Sequence, residues 1–165
     1  MNNEKQRGLT LIELLVGLVV MTVLTSLAVP GFQSLREQYT VRSAGMAVYA
    51  DLQLARSEAI KRNREVTVCF TGLGSTEWSY QLRESGDCSG AMIEQVSSQD
   101  FTGIKLEMTG IGGDRLSFQP RRHQLVTKKI LLSYEQHKMQ VSTWNNGIIR
   151  TCSDHNLSGV PACTN

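Results

Sequence analysis

The stretch Gly8 to Pro30, GLTLIELLVGLVVMTVLTSLAVP, constrains this chain more than any other feature. Between Leu9 and Leu35 there is one charged residue, Glu13. The apolar run from Leu9 to Val29 would form a helix about 30 Å long, the thickness of a bilayer's hydrocarbon core. A membrane helix is therefore the first expectation. Glu13 modifies it, because a carboxylate in hydrocarbon costs roughly 3 kcal/mol or more and normally has a partner and a purpose. The short leader before it, Met1 to Gly8, carries Lys5 and Arg7. Positive charge on that side keeps the leader cytoplasmic and sends the rest of the chain across the membrane.

Three fates of such a segment are open on these residues. It could remain as an uncut signal anchor, or be removed at the small-x-small site Ser26-Leu27-Ala28 as an ordinary secretory signal. An ordinary signal core rarely opens on a glutamate. The third fate comes from a resemblance. Gly8, then Leu-Thr-Leu-Ile-Glu, then an apolar helix, resembles the class III signal of type IV pilins and type II secretion pseudopilins. That resemblance implies cleavage by a prepilin peptidase between Gly8 and Leu9, N-methylation of Leu9, and an assembly role for Glu13. The physics agrees with it. Cleavage would create an α-amino group four residues from Glu13, and one subunit's carboxylate could meet a neighbour's amine inside an apolar bundle. Such a buried pair adds little stability but sets register.

Beyond the apolar run lie about 130 residues, enough for one domain with its own core. The formal charge is +2. Lys5, Arg7 and Glu4 leave with the leader, so the processed chain is near +1 and any attraction to nucleic acid must be local. Four cysteines, Cys69, Cys88, Cys152 and Cys163, all lie past the apolar segment, and an even number in an exported domain points to two disulfides. Of the three pairings, Cys69 with Cys88 and Cys152 with Cys163 close the shortest loops. A zinc site built on Cys152, His155 and Cys163 is the rival, but no second ligand pair supports it. No metal or cofactor is expected.

Pro30-Gly31 is expected to kink the helix rather than end it, because helical patterning resumes at once. Val41, Gly45, Val48, Leu52, Ala55 and Ala59 form one apolar stripe; Phe32, Leu35, Tyr39, Met46 and Tyr49 form another. Either the helix packs its own domain with one stripe and neighbours with the other, or it has a single broad core-facing side. The helix is expected to run from about Leu9 to Arg62 and to stop near Asn63. Its last turns hold Ala55 to Ile60, ARSEAI, followed by the strand-like VTVCF. This signature is similar to that of the GspH/FimT group of minor pilins and pseudopilins. The two alanines permit close approach to a sheet, while Arg56 and Lys61 are expected to stay in water.

From Val66 the apolar period becomes two. Strands are expected at Val66 to Thr71, Trp78 to Arg83, Met92 to Val96, Ile104 to Met108, Leu116 to Gln119, Ile130 to Tyr134, Met139 to Trp144 and Ile148 to Cys152. Asn145-Asn146-Gly147 is a hairpin signal. Thr109 to Asp114 looks like a phosphate loop but has no following helix, so it reads as a turn. The expected fold is α+β: a long N-terminal helix, half membrane-spanning and half amphipathic, packed on an antiparallel sheet or sandwich. Its parts are a leader (1–8), a transmembrane and filament-core helix (9–35), and a periplasmic pilin domain (36–165) whose helix ends near 63.

No GxSxG, HExxH or paired-carboxylate signature is present, and His123, His137 and His155 fall in turns or the tail. The chain reads as a non-enzyme, itself a substrate of the peptidase. The implied partners are other major and minor pilins or pseudopilins, in a type IV pilus or in the type II secretion filament. A DNA-binding minor pilin serving uptake is a further reading. Arg121, Arg122, Lys128, Lys129 and Arg150 are its candidate contacts. DNA-binding members of the group carry Gly-Arg-x-Arg; here the matching residues are Gly147-Ile148-Ile149-Arg150, with Ile148 in place of the first arginine. Strand alternation puts Ile148 and Arg150 on one face and Ile149 on the other.

Overall fold

The computed structural model describes residues 10–121, 125–154 and 157–163. It divides into two compact units, 1–36 and 37–165. One helix, α1 (Leu11–Arg62), contributes to both. Thr10 precedes it, and its Oγ1 accepts a hydrogen bond from the Glu13 amide at 3.3 Å. Thr10 thus satisfies one of the amides a helix start leaves open, and Glu13 sits in the first turn, where negative charge is favoured. The helical backbone continues through Pro30, so the proline does not end it. Asn63, at φ 50°, supplies the left-handed residue that stops α1.

In the first unit, α1 is long and apolar enough to cross a membrane, and none of its apolar side chains is buried among the described residues. In the second unit the helix behaves differently. Val41, Val48, Leu52, Ala55 and Ala59 are buried, together with Ala44. Tyr39 and Met46 of the second stripe are exposed, and Tyr49 is partly buried against the core. The first stripe is the core face; the two stripes do not merge into one broad side.

Eight strands follow: β1 (Val66–Thr71), β2 (Ser79–Arg83), β3 (Met92–Ser97), β4 (Lys105–Gly110), β5 (Arg115–Phe118), β6 (Lys128–Tyr134), β7 (His137–Thr143) and β8 (Ile149–Ser153). They form two four-stranded antiparallel sheets, ordered β3-β2-β1-β5 and β4-β6-β7-β8. Helix and sheets share one core, in which Val66, Val68, Tyr80, Leu82 and Leu116 of the first sheet meet Leu106, Ile130, Leu132, Met139 and Val141 of the second. Gly45 lets the helix come close to the second sheet: a β-carbon there would lie 2.4 Å from Met139 Sδ.

Two strand starts are corrected, and the hairpin expected at Asn145-Asn146-Gly147 is present. Trp78 lies before β2, and Ile104 before β4. The Trp78 indole N–H donates to the Ile104 carbonyl at 2.8 Å, a link between the sheets, while the Trp78 carbonyl accepts from the Ser98 amide at 2.8 Å at the end of the β2–β3 pairing. The β7–β8 turn is a three-residue loop, with the Trp144 amide donating to Ile148 O at 3.0 Å and the Gly147 amide to Trp144 O at 2.9 Å. Only Gly147 of its residues has positive φ, 77°. That is the geometry of a turn closed by a left-handed glycine, which matches the strand twist without needing positive φ at Asn146.

Candidate functional site

The ARSEAI segment is more than a spacer. Ala55 and Ala59 are fully buried. Arg56 does not stay in water: its guanidinium donates to the Gly147 carbonyl at 2.8 Å and ties α1 to the β7–β8 turn. Glu58 accepts from Arg62 at 2.5 Å and lies 3.4 Å from Lys61 Nζ. Arg62 also pairs with Glu84 just past β2. The Arg62 hydrogen bond holds the Glu58 carboxyl below the usual carboxylate range. Lys61 remains exposed, as its position implied. The signature is thus an anchoring motif between the helix end and both sheets. Sequence reasoning missed Arg56 because its acceptor is a backbone carbonyl 91 residues away.

A half-buried polar pair lies one turn earlier. The Tyr80 hydroxyl donates to Asp51 Oδ2 at 2.6 Å. Burial pushes the Asp51 carboxyl above its ordinary value, partly offset by that hydrogen bond, and the nearby Glu94 adds to the rise. Burial and Asp51 together raise the phenol strongly.

The basic candidates divide. Lys128 is buried and its ammonium donates to the Gly113 carbonyl. Burial pushes its pKa down. It braces the β4–β5 connection from within and cannot meet an external phosphate. Arg121 is exposed after β5, and Arg122 and His123 lie outside the described residues. Lys129 and Arg150 come together. In the registers of β6, β7 and β8, Lys129 faces Ser142 and Ser142 faces Arg150, so the three form one row across the outer face. With Gln140, Trp144 and Asp154 they line an open groove of about 710 Å³. The Arg150 guanidinium lies 5.9 Å from the Trp144 ring centre. Ile149 is buried while Ile148 is partly exposed, as strand alternation requires.

One wall of the groove is the segment Pro161 to Cys163. A disulfide joins Cys152 to Cys163, with Cα atoms 4.8 Å apart; the other joins Cys69 to Cys88, at 6.1 Å. The two sulfur ligands of the rival zinc site are therefore bonded to each other, and His155 lies outside the described residues. Gly8 and Leu9 also lie outside them.

Residues 44–154 match the family model described as type II transport protein GspH. Residues 3–29 match the prokaryotic N-terminal methylation motif. No curated protein sequence gives a significant match. Among solved structures, the type IV minor pilin FimU of Pseudomonas aeruginosa is similar, with 18% identity over 69% of this chain and 89% of that one and a TM-score of 0.56. The minor pseudopilin EpsH from the type 2 secretion system of Vibrio cholerae shares 13% identity over 70% of this chain and 98% of that one, with a TM-score of 0.54. At these identities the likeness is one of fold.

Proposed function

We propose, from the premise that the chain belongs to the type II transport protein GspH family, that it is a minor pilin acting in type IV pilus assembly and priming. In this reading residues 1–8 are a cytoplasmic leader, 9–35 cross the inner membrane, and the domain from 36 onward is periplasmic. Prepilin peptidase cuts between Gly8 and Leu9, Leu9 is methylated, and Glu13 receives a neighbouring subunit's amine. The subunit then leaves the membrane to join major and minor pilins, and can end in the extracellular filament.

One observation carries the reading. The first half of α1 exposes apolar side chains all round, with Glu13 as the one charge between Leu9 and Leu35, and the methylation motif matched at residues 3–29 runs through it. A helix of that kind needs hydrocarbon or other helices around it. A lone carboxylate among apolar helices needs a cation.

A second reading, the H pseudopilin of a type II secretion filament, is favoured by the description of the matching family. The same assembly physics serves it, and deletion followed by separate assays of piliation and exoprotein release divides the two. DNA binding stands behind both. Lys129 and Arg150 share a row, but Ile148 replaces an arginine and Lys128 is withdrawn into the core.

The mass of the intact protein extracted from membranes tests the proposal. It should lack Met1 to Gly8 and carry one methyl group on Leu9. A mature chain beginning at Val29, or one retaining the leader, would refute it.

A further inference from the structure

The two edges of the second sheet are treated differently. On β4 the Leu106 carbonyl accepts from Gly74 N at 2.8 Å and its amide donates to Ser75 O at 3.4 Å, so the turn after β1 covers that edge. On β8 the cover by described residues reaches only Ser153. The Trp144 amide bonds Ile148, which fixes the alternation of the β7–β8 ladder: Arg150 and Cys152 bond toward β7, while Ile149, Thr151 and Ser153 turn their backbone groups outward. Ser153 is met by Pro161 O at 2.9 Å and Cys163 N at 3.2 Å. Ile149 and Thr151 have no outward backbone partner among the described residues. Proteins normally blunt such an edge. This one borders the groove where Arg150, flanked by the Trp144 ring, has no carboxylate partner among the described residues.

We infer that the open β8 edge at Ile149–Thr151 and the adjoining groove bind an extended acidic segment of a neighbouring pilin-like subunit, which adds as a strand and places a carboxylate on Arg150. This rests on the assembly reading above. The backbone supplies affinity through Ile149 and Thr151, and alternate side chains supply selectivity. A residue of the added strand level with Arg150 projects onto the same outer face, about 5 Å away, where the guanidinium can take a carboxylate in a forked pair. Lys129 lies two strands further in, about 10 Å from Arg150, and adds field rather than contact. A nucleic acid fits less well. It has no backbone amides to offer the edge at Ile149 and Thr151.

The test uses the full-length processed protein in detergent micelles and a fluorescent seven-residue peptide, Ser-Val-Thr-Glu-Thr-Val-Ser. Anisotropy should report binding, weakened about tenfold when the central Glu is Gln. Arg150→Gln should give the same loss and remove the peptide's Glu/Gln difference. Thr151→Pro deletes one outward amide and should abolish binding. Slowed hydrogen exchange at Thr151 on adding peptide to the unsubstituted protein reads that contact without a variant. Peptide binding indifferent to Arg150→Gln overturns the inference, as does unchanged exchange at Thr151. Duplex DNA binding with the same Arg150 dependence while the peptide does not bind also overturns it. If the intact mass shows no processing at Gly8, the assembly reading falls with it. If processing is normal and the peptide fails, this inference alone falls.

Discussion

The two halves of α1 obey the same helical geometry and reach opposite ends. From Glu37 to Arg62, apolar residues recur every three or four positions between Glu, Asp and Arg, and that stripe is buried against two sheets. From Leu11 to Arg36, apolar residues occupy every face and all described ones are partly or fully exposed. A stripe specifies one partner surface, already present in the same chain. An all-round apolar helix specifies a surrounding medium. On the proposed reading the first half meets lipid and other subunits, while the second packs against the sheets of its own domain.

The comparison is sharpest in unfolding measured by denaturant titration in detergent. Leu52→Ala should cost about 3 kcal/mol, since Leu52 is fully buried and leaves a cavity. Leu18→Ala, in the first half, should leave the transition of the domain unmoved. Equal losses at both positions would break the distinction. Replacing both Cys69 and Cys88 with serine should cost about 3 kcal/mol or slightly less, through the loop they close in the unfolded chain. It should leave the helicity of the first half unchanged by circular dichroism. Arg56→Ala should cost about 1.5 kcal/mol by leaving the Gly147 carbonyl without its charged donor. Arg56→Lys should recover only part of this, having no planar fork.

The smallest effect concerns pH. The folded Asp51 carboxyl titrates above its ordinary value, so the folded state binds the proton more tightly than the unfolded one. That contribution is fully present below about pH 4 and is lost as pH rises through the raised folded value. Asp51→Asn should remove this slope while keeping an acceptor for Tyr80. The carboxyl is only half buried, so the difference should stay under about 1 kcal/mol. A pH profile unchanged by the substitution would show that the pair is solvated.

Much of this was legible from residue order. The membrane-length run, the core stripe through Leu52 and Ala59, and the approximate place of each strand are periodic features, and period follows from local geometry. What sequence could not show depended on distant backbone. Trp78 and Ile104 have strand-like neighbours, yet they lie just before β2 and β4 and join the sheets through the Trp78 indole. Arg56 looks like a solvated helix charge until the β7–β8 turn arrives beside it. Lys128 and Lys129 are adjacent in a basic run, and only strand alternation, fixed by the register with Thr143 and Ser142, buries one and exposes the other. Among the described residues, the tail meets the β8 edge only at Ser153, which no local pattern encodes.

The central claim is that the first half of α1 is an assembly element whose single carboxylate receives a neighbour's amine. Glu13→Ala in a clean replacement strain tests it most directly, by comparing the amount of the protein in isolated filaments with the amount in the inner membrane. The account predicts normal membrane insertion and a domain that unfolds as before, with incorporation lost or strongly reduced. Undiminished incorporation, with normal piliation and secretion, would contradict it.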